Sequence, residues 1–477
     1  MDEVFMFLDR TSSKIGQQYL YYVLRTIPHN KQRTSHFEKI IDYLRSTKRV
    51  EAVVVELNRL NDHGAYFIQK LIYGKNLSKP SWYWAFPFLS GLALGSFIAL
   101  FFYPAYPLFI LIVAINFVIH YWNKNNLLTY SNSIPQLVHL VKTAKSLASH
   151  TEVFRDRSAF IKSLEAVNKI TKKSKFLAFE AKVSSELNQV GEYFMELIKG
   201  AFLIEPLMIF KLIEELEKKK SAIENLLISI AAIDVAISIH SLRERLQCHC
   251  HLTQDDSLKA ADVYHPLIQD PVANTIDLPQ GKSVLISGSN MSGKTTFIRT
   301  IGINAILAQT INTACARQFN IPKLKIHSAI RIADDLFSET SYYLEEVKVI
   351  RTLIAECEPE SQNLFFLDEL FKGTNTVERI ASGKAVLSYL NLHNNIVFAT
   401  THDLELTDLL SDTYEFYHFE ESVNNEKLVF DYLLKDGKWI HTNAIRILEV
   451  NGFPKEITKE ARELARDFKK GRKAEKR

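Results

Sequence analysis

The chain has 477 residues and a formal net charge of +4 at neutral pH. Its hydrophobic share of 47% and charged share of 23% exclude a disordered or collagen-like chain, and four cysteines are too few for a secreted scaffold built on disulfides. The length predicts two or three domains, and the small net charge gives no strong indication of nucleic-acid binding.

The first 80 residues are predicted to form helices, as the first part of an all-α domain. Apolar side chains recur there every three or four residues, which is the spacing of one buried helix face. The recurring residues are Leu20, Val23, Leu24 and Ile27, followed by Phe37, Ile40, Ile41 and Leu44.

Residues 81–123 form an uncharged block. These 43 residues include no Asp, Glu, Lys or Arg, and two prolines divide the block at 104–107. A helix needs about 20 apolar residues to cross the hydrocarbon core of a bilayer. Aromatic side chains, which favour the headgroup level, open and close the block: Trp82, Tyr83, Trp84, Tyr121 and Trp122. The block predicts a transmembrane helical hairpin; the alternative is a buried hairpin in a soluble core.

Lysines flank this block on both sides. Lys70, Lys75 and Lys79 precede it, Lys124 follows it, and the predicted loop carries no charge. Positively charged residues next to membrane helices stay in the cytoplasm. Both soluble parts of the chain are therefore predicted to be cytoplasmic.

The character of the chain changes near residue 255. Residues 124–254 contain few helix breakers and are predicted to complete the helical domain. After that point, apolar β-branched runs at 283–287, 363–367 and 396–400 alternate with amphipathic stretches. This alternation predicts an α/β domain over 255–465, a parallel sheet with helices on both faces. Residues 466–477 form a basic tail that we expect to be disordered.

A phosphate-binding loop follows the first of these apolar runs. Residues 288–295 fit the pattern G-x-x-x-x-G-K-[ST] between a strand and a helix. The glycines let backbone N–H groups curl around phosphate oxygens, Lys294 would reach the β- and γ-phosphates, and the Thr295 hydroxyl would bind Mg²⁺. The predicted nucleotide-binding residues are Gly288, Ser289, Asn290, Met291, Ser292, Gly293, Lys294, Thr295 and Thr296.

Acidic residues follow the second apolar run. Asp368 and Glu369 end the strand 73 residues after Thr295, at the sheet edge where α/β proteins bind ligands. We expect Asp368 to hold Mg²⁺ and Glu369 to orient or deprotonate the attacking water. His402 follows the third run and could sense the γ-phosphate, although a lone histidine after a strand is more often structural.

One cluster of potential metal ligands lies at the end of the predicted helical domain. Residues 248–251 read Cys-His-Cys-His, but four adjacent residues cannot readily surround one tetrahedral Zn²⁺. We interpret the cluster as the polar end of a helix. Cys315 and Cys357 are interpreted as buried thiols.

These motifs resemble the MutS family of DNA mismatch-repair ATPases. Residues 287–296 are similar to that family's T-G-P-N-M-x-G-K-S-T, and the Asn-Met pair is far more specific than a bare phosphate loop. Residues 367–376 resemble its D-E-x-x-x-G-T-[ST]-T block, and residues 399–402 resemble its A-T-H switch. Other matching segments are Asp334-Asp335-Leu336 followed by Ser341, His265-Pro266, Asn274, Gly452-Phe453-Pro454, and Leu8-Asp9-Arg10-Thr11 with Gly16 and Leu20.

The resemblance implies an ATPase that uses Mg²⁺ and works as a homodimer or similar pair with composite sites. Ser341 of one subunit would face the γ-phosphate bound by the other, and Ser341 and His402 would complete the closed state. Asn375 and Thr376 would lie at the dimer interface. ATP binding would then move the helical domain, which would act as a lever.

The sequence also departs from the family. The resemblance begins at Leu8, so we expect no mismatch-reading domain. The family's aromatic adenine-stacking position falls near Pro271 and Val272, neither of which is aromatic, and its S-Y-G-I stretch is Thr-Asn-Ala-Ile at 442–445. These departures argue against mismatch recognition and leave the ATPase prediction intact.

The sequence thus predicts a membrane-anchored ATPase that drives DNA binding or handling. The alternatives are an ATPase that acts on a membrane or protein partner without DNA, and a nucleotide-gated scaffold that hydrolyses slowly. A basic stripe on the helices would favour DNA, and its candidates are Lys142, Lys145, Lys169, Lys172, Lys173 and Lys175.

Overall fold

The computed structural model describes residues 2–61, 66–74, 80–104, 106–149, 154–173, 189–289, 291–330, 342–358, 362–424, 427–439 and 444–475. The chain divides into two compact units. The first unit comprises Met1–Phe7, Leu24–His29 and Arg243–Arg477, and the second comprises Leu8–Val23 and Asn30–Leu242.

The described elements are mostly helical before residue 244 and mixed after it. The helices are α1 (Asp2–Leu8), α2 (Lys14–Arg25), α3 (Gln32–Thr47), α4 (Val50–Leu57), α5 (Tyr66–Tyr73), α6 (Ala85–Ala99), α7 (Tyr106–Leu147), α8 (Arg157–Lys173), α9 (Gln189–Ala201), α10 (Ile204–Lys218), α11 (Lys220–Arg243), α12 (Lys294–Ile311), α13 (Tyr342–Ala355), α14 (Thr376–Leu390), α15 (Glu405–Leu409), α16 (Ala444–Val450) and α17 (Lys455–Glu475). The strands are β1 (Leu258–Val263), β2 (Asn274–Leu278), β3 (Ser283–Gly288), β4 (Gln318–Asn320), β5 (Lys325–Ala329), β6 (Asn363–Asp368), β7 (Ile396–Thr401), β8 (Tyr414–Phe419), β9 (Glu421–Asn424), β10 (Lys427–Phe430) and β11 (Lys435–Asp436).

The larger sheet of the first unit has the strand order β11-β8-β3-β7-β6-β5 in the described ranges. Strands β8, β3, β7, β6 and β5 run parallel, and β11 pairs antiparallel with β8. The predicted α/β fold with a parallel sheet is therefore confirmed. The antiparallel edge strand and a separate antiparallel sheet, β2-β1-β4, are additions that the sequence did not indicate.

Helices cover both faces of this sheet, as predicted. Successive residues of a strand point to opposite faces. Val284 and Ile286 accordingly pack in a core cluster with α12, whereas Leu285 packs in a second cluster with Leu353 of α13 and Leu387 of α14. Strand β3 is buried on both sides, which explains why it reads as a continuous apolar run.

The second unit is helical in its described residues, and its core includes α11. This helix carries one charged residue in its buried middle, Asp234, with no exposed surface. The Asp234 carboxylate accepts hydrogen bonds from the Ser12 and Ser13 N–H groups, both at 2.8 Å, and from the Ser13 hydroxyl at 2.6 Å. At Gly16, a Cβ would lie only 2.1 Å from Asp234 Oδ2, so the close approach requires glycine. Asp234 therefore anchors the start of α2.

Replacing Asp234 with alanine is expected to lower the free energy of unfolding by about 3 kcal/mol, because three donors, two of them buried, would lose their acceptor. The melting temperature measured by circular dichroism should then fall by about 6–12 °C. Asp42→Ala is the matched control, because Asp42 is exposed on α3 of the same unit. Equal melting temperatures for the two variants would contradict this role of Asp234.

The uncharged block forms two helices, α6 and α7, whose ends differ from the prediction. Helix α6 has 15 residues and is about 22 Å long. It is shorter than the apolar segment that contains it, because residues 81–84 and 100–103 form turns instead of helix. Helix α7 has 42 residues and continues past the end of the block, with Pro135 inside it. The block is thus helical, but its second helix does not end where its apolar run ends.

Helices α6 and α7 expose large apolar side chains, whereas α7 buries polar ones. Asn116, His120 and Asn123 share one face of α7 and have no exposed surface. The Asn116 amide donates to the Ala201 carbonyl at 2.7 Å, and His120 Nε2 lies 3.5 Å from Glu196 Oε1 of α9. The exposed face is made of large apolar side chains: Phe88, Leu92, Leu94, Phe97, Leu108, Ile110, Leu111, Ile115 and Val118. This is the reverse of the pattern of a surface helix in water.

Two helices in the described part of the chain are long and apolar enough to cross a membrane. Residues Tyr106–Asn123 are 28% buried, and Lys220–Arg243, which is α11, is 72% buried. The burial of α11 is typical of a core helix. Helix α6 is apolar but shorter.

Candidate nucleotide-binding site

Two glycines of the segment between β3 and α12 have positive φ values. Gly288 has φ of +143° and Gly293 has φ of +110°, values that L side chains rarely adopt. At Gly288, a Cβ would also lie 2.5 Å from the Phe419 carbonyl oxygen. The Ser292 hydroxyl donates to the Ser289 carbonyl at 2.9 Å, and Met291 is 85% exposed.

Lys294 begins α12 and is buried. Its ammonium group donates to the carbonyl oxygens of Gly288 and Ser289, both at 2.8 Å. Burial lowers the pKa of Lys294 to about 8, although the nearby carboxylates of Glu369 and Asp368 oppose the shift. The ammonium group of Lys294 is therefore held against the carbonyl oxygens at the start of the loop.

The parallel sheet brings Thr295 and Asp368 together although they are 73 residues apart. Because β3 and β6 flank β7, the ends of both strands meet at one sheet edge. The Thr295 hydroxyl lies 3.0 and 3.1 Å from the two Asp368 carboxylate oxygens. The Thr400 hydroxyl of β7 also donates to Asp368, at 2.7 Å, and orients this carboxylate.

The paired hydroxyl and carboxylate fit the ligand preference of Mg²⁺. This ion takes oxygen ligands and is often held by one or two protein groups together with phosphate oxygens and water. In the part of the chain that the structure describes, no group of three or more His, Cys, Asp or Glu side chains could hold a metal ion by itself. Thr295 and Asp368 would therefore hold Mg²⁺ together with the phosphates of a nucleotide.

Glu369 follows Asp368 and has a left-handed backbone, with φ of +52°. One carboxylate oxygen lies 2.7 Å from His402 Nε2, and the other lies 2.9 Å from Lys372 Nζ. Burial raises the pKa of Glu369, but the hydrogen bonds from His402 and Lys372 outweigh it and lower the pKa to about 2. The carboxylate is thus ionised at neutral pH, and both of its oxygens already have partners.

His402 directly follows β7 and contacts Glu369. The next residue, Asp403, forms a two-point ion pair with Arg379 of α14, at 2.7 and 2.8 Å. This pair holds the loop after β7 against α14. Asn375 is the N-cap of α14, because its side chain accepts from the Glu378 N–H at 3.0 Å. Thr376 is the first residue of that helix.

Two predicted site residues, Asn290 and Ser341, lie outside the described residues. The same is true of residues 334–336, which resemble the family's D-D-L segment, and of Thr442 and Asn443. The interpretation of the Cys-His-Cys-His segment as the end of a helix is wrong, because α11 ends at Arg243 and Cys250 forms an antiparallel bridge with Ala314. The segment contacts residues far along the chain: the Cys248 thiol donates to the Ala316 carbonyl at 3.4 Å, and His251 Nδ1 lies 2.9 Å from the Asn312 amide nitrogen.

A cavity of about 640 Å³ lies beside the phosphate loop. This volume is within the range of sites for small molecules. The predicted residues in its lining are Ser289, Met291, Gly293, Lys294, Thr295, Thr296 and Glu369. Pro271, Val272 and Asn274 also line it, so the segment that the resemblance associates with the base does lie at this cavity.

Tyr432 also lines the cavity, and sequence reasoning missed it. A Cβ at Gly293 would lie 3.3 Å from Tyr432 Cδ1, so the ring stands against the phosphate loop. Asn274 fastens this segment, because its amide donates to the Tyr432 carbonyl at 3.1 Å and accepts from the Leu434 N–H at 2.7 Å. No local motif marks Tyr432, which lies far along the chain from the loop that it contacts.

Comparisons with known proteins address this part of the chain. Residues 284–469 match the family model described as MutS domain V. The DNA mismatch repair protein MutS of Listeria welshimeri is 28% identical over 295 residues, which cover 59% of this chain and 34% of that protein. MutS of Listeria innocua is 30% identical over 266 residues, which cover 53% of this chain and 30% of that protein. MutS protein homolog 4 of Homo sapiens is 28% identical over 299 residues, covering 59% and 31%.

The chain spans about a third of the length of the curated relatives it matches. The matched range includes the phosphate loop, Asp368, Glu369 and His402. The comparisons thus support the resemblance that the motifs indicated, and residues 284–469 are similar in sequence to domain V of MutS proteins.

Proposed function

We propose that this protein is a membrane-anchored, Mg²⁺-dependent ATPase that uses ATP to drive DNA binding or handling. One observation carries the ATPase part of the proposal. Lys294, Thr295, Asp368 and Glu369 converge at one sheet edge, beside a cavity of about 640 Å³. A buried cation, a hydroxyl paired with a carboxylate, and a second carboxylate are the groups that phosphoryl transfer to water requires.

Each of these residues has a separate role in the proposed reaction. Lys294 would leave the loop carbonyls and bind the β- and γ-phosphates, since a phosphate is a stronger partner for an ammonium group than a carbonyl. Mg²⁺ would neutralise charge on the phosphates when it is bound. Glu369 would orient the attacking water and accept its proton, and His402 would position Glu369 and sense the γ-phosphate.

The DNA part of the proposal rests on the relatives, which include proteins named for DNA mismatch repair. Four of the candidate lysines, Lys142, Lys145, Lys169 and Lys172, are exposed on α7 and α8. The side chain of Lys173 and all of Lys175 lie outside the description. The alternative is an ATPase that acts on a membrane or protein partner without DNA. The small net charge of +4 and the exposed apolar surface of α6 and α7 favour that alternative.

The steady-state ATPase rate of the detergent-solubilised protein separates these functions. It is measured without DNA and with paired, mismatched and branched DNA, each at two salt concentrations, with Lys294→Ala as the inactive control. Stimulation that weakens as salt rises supports DNA handling, because phosphate contacts release counterions. Hydrolysis that is indifferent to every DNA contradicts that part and favours the alternative.

The membrane part of the proposal is carried by the outward apolar surface of α6 and α7 and their buried Asn116, His120 and Asn123. Polar side chains inside a bilayer face other helices, and apolar ones face lipid. Residues 81–123 would contact the bilayer, and the soluble parts would lie in the cytoplasm. Helix α6 is shorter than the hydrocarbon core of a bilayer, so its flanking aromatic residues would have to complete the span.

Extraction of cell membranes with alkaline carbonate tests this anchoring. The unsubstituted chain should stay in the pellet, and the double variant Ile110→Lys with Val118→Lys should move to the supernatant. Val55→Lys is the matched control, because Val55 is also an exposed apolar residue of the second unit but lies outside the block. Recovery of the unsubstituted chain in the soluble fraction would overturn the anchor.

The proposed active form is a homodimer through the ATPase domains. Ser341 of one subunit would face the γ-phosphate of the other, and Asn375 and Thr376 would lie at the interface. Sedimentation of Glu369→Gln with ATP and Mg²⁺ tests the pairing, since trapped ATP should produce a dimer. A monomer under these conditions would contradict the composite site.

The ring of Tyr432 is expected to stack on the adenine base. Tyr432→Ala should weaken ATP binding by about 5- to 150-fold, since stacking of a base on an aromatic ring contributes about 1–3 kcal/mol. Tyr432→Phe should bind normally. Binding of inorganic tripolyphosphate should be unchanged in both variants, because it has no base. Tyr389→Ala, at an equally exposed tyrosine of α14, serves as the control in fluorescence titrations. Equal losses for ATP and tripolyphosphate would contradict the stacking.

A further inference from the structure

Glu346 lies in the first turns of α13 and is 3% exposed. One of its carboxylate oxygens accepts a hydrogen bond from the Phe371 N–H at 2.5 Å. The other oxygen is buried and has no hydrogen-bond partner among the described residues. A buried carboxylate with an unpaired oxygen costs stability, so packing alone does not explain a glutamate at this position.

The partner of Glu346 belongs to the loop that carries Glu369. Within this loop, Glu369 and Phe371 have positive φ values, +52° and +60°, although neither is glycine. Such conformations are strained and persist only where neighbouring groups hold them. The hydrogen bond to Glu346 holds the second of these two residues.

Side-chain packing brings the same loop and helix together. Phe371 is buried, and its ring centroid lies 6.2 Å from that of Tyr343 in α13. At Gly373, a Cβ would lie 3.0 Å from the Tyr343 Cβ, so the backbone of the loop rests closely on the start of the helix. The loop after β6 is therefore fixed to α13 by one charge-assisted hydrogen bond and by close packing.

We propose that Glu346 is a positioning residue for ATP hydrolysis, which acts by holding the loop of residues 369–373 so that the Glu369 carboxylate faces the nucleotide. This inference rests on the proposed ATPase function. Glu346 itself is not among the residues that line the cavity. Its loss should therefore lower the rate of hydrolysis and leave nucleotide affinity nearly unchanged, because a small misplacement of a catalytic group is costly to the rate.

Substitution of Glu346 combined with separate measurements of kcat and ATP affinity tests the inference. Glu346→Ala should lower kcat by about 10- to 100-fold, with ATP affinity within about threefold of the unsubstituted chain. Glu346→Leu should behave in the same way while filling the buried volume, which guards against a folding defect of the alanine variant. Glu346→Gln should restore most of the rate, because its amide oxygen can accept the same N–H. Glu345→Ala is the matched control, since this neighbouring glutamate is partly exposed and pairs with Lys348.

The outcomes separate this inference from the function on which it rests. Full activity in both Glu346→Ala and Glu346→Leu, equal to that of Glu345→Ala, overturns the positioning role alone. Equal losses of kcat, ATP affinity and thermal stability, without rescue by glutamine, indicate a purely structural residue and also overturn it. If the unsubstituted chain shows no hydrolysis that depends on Lys294, the proposed ATPase function fails, and this inference fails with it.

Discussion

Lys294→Ala is expected to lower kcat/KM for ATP by about 30- to 5,000-fold. Removing one partner of a buried, hydrogen-bonded charge pair costs about 2–5 kcal/mol. We propose Lys294 as such a partner for the phosphates, because it is buried at the start of α12 and no other described lysine lines the cavity. A coupled assay of phosphate release measures the loss.

The control for this variant is Lys259→Ala. Lys259 is exposed on β1 of the same unit and pairs with Asp277 at 2.7 Å, so its removal should change neither turnover nor folding. Circular dichroism spectra should be the same for both variants. Unchanged turnover in Lys294→Ala would refute the nucleotide site.

The state of Lys294 also predicts a pH dependence of ATP binding. Burial lowers its pKa in the nucleotide-free protein to about 8. The charged form binds phosphate, so affinity should be highest below pH 8 and fall as the pH rises through that value. Bound phosphates favour the charged form and should raise the pKa, so that binding above pH 8 takes up a proton. Calorimetry in buffers of different ionisation enthalpy detects this uptake.

Glu369→Gln is expected to lower kcat by about 100- to 10,000-fold and to leave ATP bound, because a glutamine cannot accept the proton of the attacking water. ATP affinity should stay within about threefold, since the phosphate ligands are unchanged. Single-turnover hydrolysis and filter binding of labelled ATP measure the two quantities. Glu415→Gln is the control, because the Glu415 side chain is partly exposed on β8 and pairs with Lys282. Normal hydrolysis by Glu369→Gln would exclude Glu369 as the base.

The contacts of Glu369 determine the acid side of the rate profile. Burial raises its pKa, but hydrogen bonds from His402 and Lys372 outweigh this and lower it to about 2. A carboxylate that must be ionised loses activity as the pH falls through its pKa. The value of kcat/KM, which reports the pKa of the nucleotide-free protein, should therefore persist far below the usual range of glutamate, and His402→Ala should move its acid limb to higher pH. An identical acid limb in His402→Ala would contradict the role of this hydrogen bond.

The low pKa also limits the chemistry of Glu369 in the conformation described. Both of its oxygens are occupied by cationic or potentially cationic partners, at 2.7 and 2.9 Å. A carboxylate with so low a pKa is a weak base. We therefore expect the hydrolytic state to release one of these contacts, and a structure with a bound ATP analogue would identify which one.

Local patterns in the sequence were sufficient to predict three strands of the larger sheet and the phosphate loop. The glycine spacing of residues 288–295 dictates positive φ at Gly288 and Gly293, which the structure contains. The apolar runs became β3, β6 and β7 because strands buried on both faces need continuous apolar residues. These features depend on neighbours within a few residues, so they can be read without knowledge of the fold.

The contacts of the site depend on residues that are far apart in the chain. The sheet order places β3 beside β7 and β7 beside β6, which joins Thr295 to Asp368 and Thr400. Tyr432 reaches the cavity, and Glu346 holds Phe371, without any local signal. Periodicity reports which face of an element is buried, but not which element covers it.

In the uncharged block, too, some features follow from the local sequence and others only from the tertiary structure. Sequence alone established that residues 81–123 carry no charge and form apolar helices, because charge and helical periodicity are local properties. Only the tertiary structure decided that the polar side of α7, with Asn116 and His120, turns inward against α9 while its apolar side is exposed. The physical reason is that a buried polar group needs a hydrogen-bond partner, and here the partners, the Ala201 carbonyl and Glu196, come from a helix more than 70 residues away.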